Sequence, residues 1–296
     1  MLGSFGLAVL ASALPLTGRG PEPPTPIYGG ALVEPGAWPG VVAIIVPGGL
    51  CTGTLVGERV VLTAAHCVKA GTPIAQMQVR LGDDVNLPSP SYAVERYAAH
   101  PMYCGADVPP CKEDQFDYGY VVLAEPVTGV APVPVLTDQD QWDEAMTIGA
   151  DVTLVGYGYD EGMLTGLKRE VDVTIRQFSA TGREFAAGGM GLDSCQGDSG
   201  GPAFVTLGSG ATLLAGVTSR GYLECGKGGF YGVPYAALCW LNDETGLDLR
   251  TDACAACDCL DTDPDAGGRC GCGVSEPPWV LLGLPLVLRR RRRLSR

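Results

Sequence analysis

Short runs of β-branched and other apolar residues, each closed by glycine or proline, point to an all-β barrel or sandwich. The runs fall at 41–46, 52–56, 60–63, 77–81, 120–123, 152–155, 171–175, 202–206 and 213–217. Strands of this length, with no helix-period segments between them, pack as barrels or sandwiches. The 43 glycines and 23 prolines supply tight turns rather than long helices. One helix is expected, over 235–243. A polar stretch poor in β-branched residues, near 136–148, divides the region into two halves.

The chain has 296 residues, enough to bury a sizeable core. Apolar residues make up 46% and charged ones 18%, which excludes both a disordered chain and a multi-span membrane protein. Formal net charge is −13, and six of the 20 basic residues stand in the last eight positions. The remaining body is strongly acidic and repels phosphate backbones, so no nucleic-acid partner is expected. Twelve cysteines point to an oxidising, exported location, secreted or anchored at the cell surface. Residues 2–16 are apolar and small, with a candidate cleavage site at Ala11-Ser12-Ala13, although no positive charge precedes them. The stretch 18–26, GRGPEPPTP, reads as a linker or propeptide.

At the other end Cys254, Cys257, Cys259, Cys270 and Cys272 crowd together, followed by a short apolar run and five arginines. The run is too short to cross a bilayer of about 30 Å as a regular helix. The segment CGCGVSEPPWVLLGLPLVLRRRRR resembles the C-terminal sorting tail of many myxobacterial surface proteins. That resemblance implies membrane association with the arginines cytoplasmic, and a tail-processing enzyme acting near Cys270 or Cys272. Cys254-x-x-Cys257-x-Cys259 fits no common zinc knuckle and has no histidine nearby. Asp261-x-Asp263-x-Asp265 lacks glycine at its sixth position (Ala266) and has Cys272 where a calcium loop needs glutamate. No metal and no cofactor are expected.

The chemistry is concentrated in a few residues. Only two histidines are available as a base near neutral pH, His66 and His100. His66 lies in Thr63-Ala64-Ala65-His66-Cys67, directly after an apolar strand, and His100 precedes Pro101 on a turn. Gly197-Asp198-Ser199-Gly200-Gly201-Pro202 sets a serine among glycines, which let the backbone approach a substrate and aim N–H groups at a developing oxyanion. A serine hydroxyl becomes a useful nucleophile only when a neighbouring base takes its proton.

Together these segments resemble the trypsin-like (chymotrypsin-fold) serine peptidases. TAAHC around the histidine and GDSGGP around the serine both stand unchanged. Ile27-Tyr28-Gly29-Gly30 is similar to the family's mature N-terminus, and 117–123 to its aspartate motif. His100-Pro101 matches the turn before that aspartate, and Gly156-Tyr157-Gly158 the family's Gly-Trp-Gly. The resemblance implies two packed six-stranded antiparallel β-barrels with a C-terminal helix. The layout it implies is 1–26 signal and propeptide, 27–137 N-terminal β-barrel, 138–245 C-terminal β-barrel and helix, 246–273 Cys-rich spacer and 274–296 sorting tail.

By the same resemblance the catalytic residues are His66, Asp117 and Ser199, with Asp114 a nearby rival for the aspartate. Backbone N–H groups of Gly197 and Ser199 form the oxyanion hole. Asp193 lies at the bottom of the primary specificity pocket, with Ser194, Gly221 and Gly229 around it. The implied substrates are proteins or peptides with Arg or Lys at the cleavage site. The implied disulfides are Cys51–Cys67, Cys195–Cys225 and Cys104–Cys111, leaving Cys239 for a tail cysteine. The alternative is a catalytically silent homologue acting as a binding module, although such homologues usually lack one of the three residues.

Four departures matter. The family's zymogens are cut after a basic residue, freeing an ammonium that pairs with the aspartate before the serine. Here Ile27, the expected partner of Asp198, follows Pro26, so an activating protease of another kind is implied. Arg220 stands where the family has tryptophan, which turns the next subsite towards acidic residues. The stretch 87–93 offers no glutamate for the family's calcium loop, and Ala186 replaces a cysteine near the pocket.

Overall fold

The computed structural model describes residues 27–68, 71–105, 114–160, 162–222, 224–251 and 260–262. Its strands are β1 (Ala31–Leu32), β2 (Val41–Val46), β3 (Gly49–Leu55), β4 (Val60–Thr63), β5 (Gln78–Arg80), β6 (Ser91–Ala99) and β7 (Gly119–Leu123), then β8 (Asp151–Gly156), β9 (Arg169–Phe178), β10 (Glu184–Ala187), β11 (Pro202–Thr206), β12 (Thr212–Gly221) and β13 (Gly229–Gly232). The order β2-β3-β4-β7-β6-β5 closes one antiparallel barrel. A second closes as β8-β9-β10-β13-β12-β11, with β1 added at the edge of β9. Two six-stranded barrels are therefore present, as expected.

The apolar runs are continuous where both faces of a strand are covered. On β2, Val42 and Ile44 point into the first barrel while Val41 and Ala43 join the larger core shared with the second. Strand β4 divides in the same way, with Val61 inward and Val60 and Leu62 towards the other barrel, and β7 follows suit with Val121 against Tyr120 and Val122. Each fully buried side chain of this size contributes about 1.5–3 kcal/mol. A missing alternation in the sequence thus marks the face where the barrels meet.

The helices differ from expectation. The segment expected as one helix over 235–243 opens as a 3-10 turn at Pro234–Ala237 and becomes α-helical at Leu238–Thr245. Pro234 fits the first turn because its missing N–H would have no partner there, and Gly246 at φ +73° ends the helix. A helix not expected, Gln139–Ala145, occupies part of the polar stretch between the barrels. Its cap is Asp138, which accepts from Asp140 N (2.9 Å) and Gln141 N (3.3 Å). Trp142 and Ala145 give it a small buried face.

Residues 260–262 dock on the second barrel. Leu260 N donates to Tyr235 Oη (2.6 Å), Asp261 N to Gln139 Oε1 (2.8 Å) and Thr262 Oγ1 to the Thr181 carbonyl (2.7 Å). Leu260 is 6% exposed, so these residues are packed against the second barrel. Leu260→Ala is expected to lower the free energy of unfolding by about 2–3 kcal/mol, read by urea denaturation. The expectations for 1–26, Cys111, the tail cysteines and 274–296 lie outside the described residues. Cys104 and Cys239 are each disulfide-bonded.

Candidate active site

The register of the first barrel brings two candidate residues to the same end. β4 and β7 pair with Thr63 opposite Gly119. The chain leaving β4 turns through Ala65–Cys67 and carries His66, while Asp117 lies two residues before β7. Asp117 is 5% exposed and accepts three hydrogen bonds. They come from His66 Nδ1 (2.8 Å), the His66 backbone N–H (3.0 Å) and Ser219 Oγ (2.7 Å). The carboxylate therefore fixes both the ring and the backbone of the histidine turn. A disulfide between Cys51 and Cys67 ties that turn to β3.

The serine loop comes from the second barrel. Ser199 is placed by its carbonyl, which accepts from Thr52 N at 2.9 Å and lies 3.5 Å from Cys67 Sγ, next to His66. Gly200 N donates to the Thr218 carbonyl at 2.7 Å, so Ser199 and Ser219 are presented side by side. Among the described residues no hydrogen bond of ordinary geometry joins the Ser199 hydroxyl to the imidazole, an arrangement common before substrate arrives. The glycines here are required. Gly200 has φ +80° and a Cβ on it would lie 1.9 Å from Thr63 Oγ1. Gly197 has φ +99°, with its would-be Cβ 2.8 Å from Gly158 Cα. The N–H groups of Gly197 and Ser199 have no protein partner among the described residues, which leaves both free to bind an anionic oxygen.

A cavity of about 280 Å³ opens beside Ser199, lined among others by Ser194, Gln196, Ser219, Arg220 and Gly221. Cys195 and Cys225, joined by a disulfide, form part of its wall. Asp193 lies behind Ser194 and is 1% exposed. Its carboxylate accepts from Ser194 N and Gly228 N, both at 2.8 Å. Burial pushes its pKa up, partly offset by those N–H donors. Gly229 passes Ser194 Oγ and Tyr231 Oη so closely that a Cβ would lie 3.2 and 3.1 Å from them.

Asp198 is fully out of solvent and accepts from Gly158 N (2.7 Å) and Cys195 N (2.8 Å). Gly156 and Gly158 flank it because a Cβ on either would lie within 2.5 Å of its carboxylate. No cation pairs with it among the described residues. Burial pushes its pKa up to about 7. Ile27, preceded by Pro26, carries no ammonium; it is buried, with φ +42°. Tyr28 bridges to Asp193, with Asp193 N donating to the Tyr28 carbonyl at 3.0 Å.

The raised pKa fixes a sign. Between pH 4 and 7 the folded chain keeps a proton on Asp198 that the unfolded chain has lost. Its stability therefore falls as pH rises through this window and levels off above it, by up to about 4 kcal/mol. Urea unfolding of the full chain at pH 5 and pH 7.5 should show a difference in stability that Asp198→Asn removes.

Asp114 is not at the site. It is buried and accepts from Ser179 Oγ (2.9 Å) and Thr181 Oγ1 (2.6 Å), tying the loop before Asp117 to the second barrel. His100 is packed between Phe116 and Trp240, and its Nδ1 accepts from Met102 N at 3.2 Å. Burial lowers its pKa, in keeping with a structural role. The expectation that Arg220 seeks acidic substrate residues meets a fact not legible from spacing: its guanidinium is held by both oxygens of Glu184. Ser219, the second donor to Asp117, was also missed, its only signal being a serine on the strand facing the serine loop.

A family model described as Trypsin matches residues 27–239. The chain belongs to the trypsin family. Among curated proteins it is 30% identical to melanization protease 1 of Drosophila melanogaster over 69% of this chain and 60% of that one. It is 29% identical to serine proteinase stubble of the same organism, over 72% of this chain and 30% of the relative. To serine protease 56 of Mus musculus it is 28% identical, over 90% of this chain and 48% of the other. The chain thus spans between about a third and three fifths of these relatives' lengths. Membership places it among the trypsin-like serine proteases.

Proposed function

We propose that this trypsin-family chain is an exported serine endopeptidase that hydrolyses peptide bonds after Arg or Lys. The observation that carries the reading is the bond from His66 Nδ1 to the buried Asp117 carboxylate, beside the loop that presents Ser199. With Nδ1–H committed to Asp117, Nε2 is left as the basic nitrogen. It takes the Ser199 proton while Oγ attacks the substrate carbonyl, and the oxyanion settles between the N–H groups of Gly197 and Ser199. The protonated imidazole then gives its proton to the leaving amine, and water repeats the sequence on the acyl-enzyme. Asp193 supplies the charge for a cationic side chain entering the cavity, past Ser194, Gly221 and Gly229.

The chain is read as a precursor. The φ of Ile27 is defined by its bond to Pro26, and a β-branched residue held at +42° carries strain of order 1–3 kcal/mol. Cutting that bond releases the strain and creates the ammonium that the buried Asp198 lacks. The cut falls to an activating protease able to act after proline. Twelve cysteines and the apolar segment 2–16 support export, and the C-terminal run supports anchoring with tail processing. The test is a chromogenic arginyl substrate offered to protein whose N-terminus is sequenced as Ile27. Turnover lost in Ser199→Ala supports the reading. No turnover from a verified Ile27 start favours a binding module.

A further inference from the structure

Arg220 lines two cavities, and Glu184 lines the second of them. One is the cavity beside Ser199; the other, an open cavity of about 150 Å³, is lined among others by Phe178, Phe185, Phe230 and the two charged residues. The Arg220 Nη2 lies 2.6 Å from Glu184 Oε2 and its Nη1 3.2 Å from Oε1, a two-point contact that fixes the planar guanidinium. The guanidinium also lies over the Phe230 ring, 4.6 Å from its centre. The Glu184 side chain is 7% exposed and that of Arg220 32%, so the more exposed cation is backed by a largely buried carboxylate. Glu184 Oε1 accepts a further bond from Gln115 N at 2.8 Å, two residues from Asp117. The pair therefore joins the strand lining the substrate cavity to the segment carrying the aspartate.

We propose that this ion pair determines specificity upstream of the scissile bond. Glu184 cancels the charge of Arg220, so the second cavity takes an uncharged, apolar substrate side chain, packed on the phenylalanines and on the flat face of the guanidinium. This rests on the endopeptidase reading above, and it assigns Glu184 a part in specificity that its distance from the serine in sequence conceals. Removing either partner frees the other charge. Glu184→Gln keeps the bond from Gln115 N and leaves Arg220 as an unbalanced cation. Arg220→Gln leaves the Glu184 carboxylate as an unbalanced anion.

The test uses protein starting at Ile27 and tetrapeptide nitroanilides ending in Arg, with Leu, Asp or Lys at each of the three upstream positions in turn. The wild type is expected to favour Leu. Glu184→Gln should raise the Asp-to-Leu ratio of kcat/KM at one position on the order of tenfold. Arg220→Gln should raise the Lys-to-Leu ratio there by a similar factor, and the double variant should return to an uncharged preference. Ratios within one variant cancel any loss of overall rate, and the two single variants carry opposite signs, so either suffices if the other does not fold. The same ratios read as peptide binding in a Ser199→Ala background separate the two proposals. Charge-dependent binding without wild-type turnover overturns the endopeptidase reading and keeps the subsite; ratios unchanged within twofold in every variant overturn the subsite.

Discussion

Ser199→Ala, in protein starting at Ile27, is expected to reduce kcat on an arginyl substrate by roughly five to six powers of ten, with little change in KM. In the proposed mechanism the alanine removes the atom that forms the covalent bond, while the cavity and the free N–H groups of the serine loop remain. The residual rate should be that of positioned water, not of a weakened nucleophile. Asp117→Asn makes the complementary case. Oδ1 of Asp117 faces the His66 backbone N–H and Oδ2 faces Nδ1, and both are donors. An asparagine can accept only one of them. If its oxygen keeps the backbone bond, its amide donates to Nδ1, which drives the ring proton to Nε2, the nitrogen meant to receive a proton from Ser199. A loss of about ten thousand-fold is expected, as in the peptidases for which this triad was worked out. A burst of nitroaniline from either variant would contradict the assigned roles.

What the sequence made legible, and what it hid, follows from which surfaces are buried. Strands β2, β4 and β7 bury both faces at the junction of the barrels, so their apolar runs stand out. Strand β6 is only partly buried, with Glu95 and Arg96 breaking its apolar pattern, and it is not among the apolar runs expected as strands. Strands β10 and β13 are four residues long, and β13 begins and ends in glycine, a poor strand former held here by its neighbours. Gln139–Ala145 escaped because its buried face is only Trp142 and Ala145; Asp138 as cap was the available signal. At the site, glycine-rich segments were readable because backbone geometry leaves them no alternative, as at Gly200. The partners of charges were not. Glu184 lies 36 residues from Arg220, and nothing in local spacing brings them together. The docking of Leu260 through Tyr235 was hidden for the same reason.

Replacement of Asp193 by serine carries the other large effect. The carboxylate lies in a cost-laden place: burial disfavours its charge, and two backbone N–H groups offset only part of that. Under the proposed specificity, a substrate guanidinium or ammonium would supply the missing counter-charge in the same low-dielectric surroundings, so much of the recognition energy would be the relief of an unpaired anion. Breaking a buried pair of this kind costs about 3–5 kcal/mol, roughly two to four powers of ten in kcat/KM. Asp193→Ser should therefore lose arginyl hydrolysis by that factor while peptides with Leu or Met at the same position lose much less. The pH dependence has a defined sign. Because burial raises the pKa, kcat/KM for arginyl peptides in the wild type should climb as Asp193 ionises, and the matching profile for leucyl peptides should lack that limb. Equal losses on arginyl and leucyl peptides would mean that Asp193 only supports the fold of the Ser194 and Gly228 turns, and the charge that selects the substrate would have to be sought elsewhere.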